Sequence, residues 1–111
     1  MTKNTNKSTR YYSNKQEEEV VKLTNSYKVS NSGAGKFKKG DVCSDTILYE
    51  CKTTTTNKEQ FTIKKEWLEK SRKEAFEMGK DFSVLVFNFG PNTKNYFVVD
   101  ERFYKQILDN L

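Results

Sequence analysis

Gly40-Asp41-Val42-Cys43-Ser44-Asp45-Thr46-Ile47-Leu48-Tyr49-Glu50-Cys51-Lys52 reads as a short hairpin, and the rest of the fold is organised around it. Its second strand is expected from about Thr46 to Lys52. Side chains alternate along a strand, so Glu50 and Lys52 point one way while Ile47, Tyr49 and Cys51 point the other. Pairing back against the first strand brings Asp41 close to Glu50. Two carboxylates and one ammonium then converge on one spot. Two carboxylates in that arrangement can hold Mg²⁺ through oxygen ligands. The ion lowers the pKa of a bound water and stabilises charge on a scissile phosphate. Lys52 can orient or help deprotonate that water, or steady the phosphate. Metal-dependent phosphodiester cleavage needs this set of parts. The competing reading is an ordinary cross-strand ion pair on a solvated sheet face. Against it stands the pattern itself, because a strand with one apolar face does not carry central charges cheaply.

The chain has 111 residues, the size of one domain, with a core limited by a hydrophobic content of 34%. Eight Phe, six Tyr and one Trp supply large units of buried area. No stretch has the run of about 18 apolar residues that a membrane span needs, and Met1 to Ser13 lacks the apolar run of a signal peptide. A cytoplasmic protein is expected, in the host cytoplasm if a phage encodes it. Cys43 and Cys51 are accordingly expected to be reduced and to pack as small apolar side chains.

Histidine is absent, which excludes Ser-His-Asp and Cys-His catalysis and argues against structural zinc. Any general base is a carboxylate, Lys, Tyr or metal-bound water. Neither a Gly-x-x-x-x-Gly-Lys-Ser/Thr loop nor a Gly-x-Gly-x-x-Gly fingerprint occurs. Twenty basic against fifteen acidic residues give a net charge of +5, which favours a polyanionic partner held through phosphate contacts. Lysine enrichment from an AT-rich genome would give the same composition.

Residues 1–13 read as a flexible N-terminal arm and residues 14–111 as a single domain. Ser13 or Asn14 is placed to cap a helix from about Lys15 to Ser26, with Val20, Val21 and Leu23 on its apolar side. Glu17 projects from the core-facing edge of that helix, and Glu18 and Glu19 turn progressively towards solvent. Acids in a first turn also suit the helix dipole, with no catalysis implied. Residues 29–40 form a Gly-rich basic loop suited to close approach of a DNA backbone, or to an ordinary connector. After the polar run Thr53–Gln60, Phe61-Thr62-Ile63 suggests a brief edge strand. Thr62 is the expected cap of a helix from about Lys64 to Met78, closed by Gly79. Phe82–Phe89 is the clearest strand, Tyr96–Asp100 the next, and Glu101–Leu111 has a helical period. The expected architecture is α/β, a central mixed β-sheet with helices on its faces, in the order α-β-β-(β)-α-β-β-α.

These blocks together resemble the restriction-endonuclease-like superfamily with the PD-(D/E)xK signature, and within it the archaeal-type and phage Holliday junction resolvases. The matching pieces are the acid in the first helix, Ser32-Gly33-Ala34-Gly35-Lys36, Lys39-Gly40-Asp41-Val42, Tyr49-Glu50-Cys51-Lys52-Thr53, and Ile63 to Lys70 followed by Lys73-Glu74-Ala75. The likeness spans about residues 14–100 and implies an α-β-β-β-α-β core forming one nuclease domain. It implies that Asp41 and Glu50 hold Mg²⁺ or Mn²⁺, with the Cys51 carbonyl as third ligand. Lys52 becomes the catalytic lysine, and Glu17 the helix-borne acid that completes the site. Ser32 in the loop becomes a phosphate contact; beside it, the basic loop residues Lys36, Lys38 and Lys39 and the helix residues Lys64 and Lys65 are expected DNA-binding residues from their charge. The expected partner is branched DNA, nicked at four-way junctions by a symmetric homodimer in recombination. Other nucleases of the superfamily, and a non-catalytic basic DNA-binding module, are the competing classes. The chain departs from the family in its Thr-rich connector and long polar N-terminus, which leave substrate detail open.

Overall fold

The computed structural model describes residues 9–29 and 42–111. Among them the order is α1 (Thr9–Thr24), β1 (Tyr27–Lys28), β2 (Val42–Cys43), β3 (Ile47–Lys52), α2 (Lys65–Glu77), β4 (Phe82–Phe87), β5 (Tyr96–Val98) and α3 (Glu101–Asp109). The strands form one mixed sheet in sequential order from β1 to β5. Only β3 and β4 run parallel, with α2 as their crossover; the other neighbours are antiparallel. The α/β class read from the sequence is the class observed.

The two faces bury different sets. On one, Val20 of α1 packs with Val42, Tyr49, Val84 and Val86, joined by Phe97 and Phe103. On the other, Cys43 and Leu48 pack against Ala75 of α2. Strand alternation therefore places Leu48, Glu50 and Lys52 on the α2 side, and Ile47, Tyr49 and Cys51 on the α1 side. The two cysteines lie on opposite faces and are not bridged.

Several boundaries differ from the expected ones. Helix α1 already includes Thr9, the first described residue, so residues 9–13 of the expected arm are helical. No Gly or Pro interrupts the segment, and Tyr11 and Tyr12 meet edge to face at 5.1 Å. The helix ends at Thr24, and Asn25, with a φ of 55°, turns the chain out of it. Tyr27–Lys28 adds an unexpected edge strand, too short to show a period of two. Phe61–Ile63 is not a strand; Phe61 instead stacks on Phe87 at 4.9 Å. Thr62 does not cap α2: the cap is Lys64, which makes no side-chain capping bond. The other end of α2 follows expectation. The N–H groups of Gly79 and Lys80 donate to the carbonyls of Phe76 and Ala75, and Gly79 supplies the positive φ of 75°.

Among the described residues, no helix is long and apolar enough to cross a membrane.

Candidate active site

Strand β3 carries the centre of the site. Its neighbours β2 and β4 cover both edges, and Glu50 pairs in register with Leu85 of β4. The sheet and α2 leave Glu50 only 6% exposed. A carboxylate buried this far needs a cationic or hydrogen-bonding partner. Lys52 supplies one, with Nζ 3.3 Å from Glu50 Oε2. The alternation that puts both on one face was legible in the sequence; the depth of burial comes from α2.

Trp67 of α2 completes the surroundings of Lys52. The ammonium lies 4.5 Å from the indole centroid, and Lys64 Nζ lies 5.6 Å from the same ring. The ring face attracts both cations and shields Lys52 from bulk water. Trp67 was legible as part of an apolar stripe, but nothing in its spacing linked it to Lys52.

From the other side, Gln16 ties α1 to the end of β3. Its Nε2 donates to the Lys52 carbonyl at 2.8 Å and to Asn95 Oδ1 at 3.3 Å. Asn95 in turn accepts from Asn88 Nδ2 at 3.1 Å and donates to Glu19 Oε1 at 3.0 Å. Buried Asn88 also accepts from Thr53 Oγ1 at 2.7 Å. This amide network locks the segment that follows Lys52. Sequence reasoning missed Gln16, Asn88 and Asn95, because amides scattered over 80 residues show no local pattern.

Glu17, next to Gln16, is also 6% exposed. Burial pushes its carboxyl from the usual 4.5 up to about 7. Lys28 and Arg10 pull it down, whereas Glu18 and, least of all, Glu50 push it up. Lys28 Nζ lies 3.8 Å from both Glu17 Oε1 and Glu18 Oε2. Glu17 is thus buried at the core-facing edge of α1, as its spacing predicts, while Glu18 and Glu19 are exposed. The direct ion pair of Glu17 is with Lys28, a residue the sequence did not single out. Between Glu17 and Glu50 the structure shows an electrostatic influence across β3.

Asp41, Ser32, Lys36, Lys38 and Lys39 lie outside the described residues. Val42, which follows Asp41, pairs with Tyr49, which precedes Glu50. Lys64 and Lys65 stand exposed at the start of α2, and Lys65 makes a 3.8 Å ion pair with Glu69. Among the described residues, no group of three or more His, Cys, Asp or Glu side chains is gathered closely enough to hold a metal ion. No protein-family model, curated protein or solved structure matches this chain.

Proposed function

We propose that the protein is a metal-dependent, structure-selective DNA endonuclease, acting as a Holliday junction resolvase that nicks four-way junctions by water attack on phosphodiesters. The observation that carries this reading is the pairing of buried Glu50 with half-buried Lys52, two residues apart on one face of a central strand. The observed α-β-β-β-α-β start of the chain supports the restriction-endonuclease-like core that the sequence resembles. Oxygen donors suit Mg²⁺ or Mn²⁺: the Glu50 carboxylate and the Cys51 carbonyl from β3, with Asp41 as the remaining ligand. Such an ion would supply a water of lowered pKa and neutralise charge on the phosphate. Lys52, already oriented by Glu50 and Trp67, would donate to a phosphate oxygen or position the attacking water. Glu17, on the α1 side of β3, would complete the site electrostatically across the strand. A homodimer would bring two such sites to the two strands cut in a junction.

The test is cleavage of a labelled four-way junction beside a linear duplex of matching sequence, in Mg²⁺ and in Mn²⁺. Paired symmetric nicks in the junction are expected from the wild type and not from Asp41→Asn. Lys52→Ala is expected to retain junction affinity while losing most of the cleavage rate, as for a group acting in the transition state. Tight junction binding with no nicks in either metal would make the protein a non-catalytic DNA-binding module. Equal cutting of linear duplex would make it a nuclease of broader substrate range.

A further inference from the structure

A row of aromatic rings leads away from Lys52 across the α2 side of the sheet. In register, Lys52 of β3 sits beside Phe87 of β4, and Phe87 beside Tyr96 of β5. Phe87 and Tyr96 stack at 5.6 Å with planes 27° apart, and Phe61 stacks on Phe87 at 4.9 Å. Trp67 continues the row at 6.2 Å from Phe61. None of the four rings is fully buried, and Tyr96 is 44% exposed. Cations flank the row at the Trp67 end, where Lys52 and Lys64 both lie over the indole. On the same sheet face, Leu85 and Val98 follow Phe87 and Tyr96 and line a cavity of about 320 Å³ beneath α2. Lys65 and Arg72 also line it, with Ser71, whose buried Oγ has no hydrogen-bond partner among the described residues.

Partly exposed rings, with lysines at one end of the row and a cavity on the same sheet face, match the demands of unpaired nucleobases. Stacking on aromatic side chains tolerates any base, and lysines track the phosphates. A duplex cannot use such a surface, because its bases already stack on one another. We infer that this face binds an unpaired nucleic-acid strand, its bases packing against exposed Tyr96 and the accessible parts of Phe61 and Trp67, and its phosphates meeting Lys64 and Lys65. The inference rests on the nuclease reading to the extent that Lys52 joins the two surfaces, and it makes branched DNA with unpaired nucleotides at the branch the preferred substrate.

Trp67 is the sole tryptophan of the chain, so its emission reports on this face directly. The wild-type protein, in chelator, would be titrated with a thymidine oligonucleotide and with an abasic deoxyribose-phosphate oligomer of equal length. Saturable quenching by the first is expected, with binding of the second weaker by at least about fivefold. Tyr96→Ala, at an exposed edge position, is expected to weaken the thymidine oligomer by a similar factor and leave the abasic one unchanged. Equal quenching by the two oligomers, or none, overturns the inference. Emission that changes on dilution of the protein but not with oligonucleotide assigns the face to a second copy of the chain and also overturns it. No cleavage step enters this assay. Base-dependent quenching without nuclease activity sinks the nuclease reading alone, and junction cleavage without base-dependent quenching sinks this inference alone.

Discussion

Burial governs the charge of Glu17, against the combined pull of Lys28 and Arg10. A carboxyl that titrates at 4.5 in the unfolded chain and at about 7 when folded keeps a proton that the unfolded chain has lost. Between those two values the folded state binds more protons, so stability falls as pH rises through that window. Above it the full cost of an ionised, buried carboxylate is present. Glu17→Gln removes the cost. In chelator, the variant is expected to gain on the order of 1–3 kcal/mol over wild type between about pH 5 and about pH 8. Urea unfolding at the two pH values checks this, and a constant difference between the proteins would refute the shifted carboxyl. The position of Glu17 was legible in the sequence, since it stands three and four residues before Val20 and Val21. Its pairing with Lys28 was not, because that contact depends on how β1 returns beside α1.

The connector between β3 and α2 holds its course by backbone contact with the β4–β5 turn. The Lys58 N–H donates to the Phe89 carbonyl at 2.7 Å, and Gly90 N–H donates to Asn88 Oδ1 at 3.1 Å. Gly90 has a φ of 138°, and a Cβ there would stand 2.6 Å from the Asn57 Cα and 2.9 Å from the Thr56 carbonyl oxygen. Gly79 also has a positive φ, yet a Cβ there would meet nothing within 4 Å. Gly79→Ala is expected to cost about 1–2 kcal/mol through backbone strain alone. Gly90→Ala must displace backbone as well and is expected to cost at least about 1 kcal/mol more. Urea midpoints of the two variants decide this; equal losses would mean that the connector yields easily. The sequence marked Gly90-Pro91-Asn92 as a turn. It did not reveal that Asn57 lies beneath it, a contact between residues 33 positions apart that leaves no periodic trace.

At the scale of the whole molecule, an excess of five positive charges favours a polyanionic partner, and the proposed DNA substrate would gain from counterion release. Lys64 and Lys65 are exposed together at the start of α2, and Lys64 shares the Trp67 ring with Lys52. Replacing either with Ala is expected to lower the slope of log affinity against log salt by about 0.9, with little change in preference among DNA sequences. Filter binding over a salt series measures the slope, and an unchanged slope removes that lysine from the interface. By itself the sequence determined the α/β class, the main strands β3 and β4, the three helices to within a few residues at most ends, and the common face of Glu50 and Lys52. All of these follow from local periodicity, which needs no knowledge of distant neighbours. Only the tertiary structure decided how deeply Glu50 and Glu17 are buried, that Trp67 covers Lys52, and that Gln16, Asn88 and Asn95 form one network. It also decided that Phe61 joins an aromatic row and forms no strand. Desolvation and long-range contacts depend on which elements pack together, and packing is set by the whole chain at once.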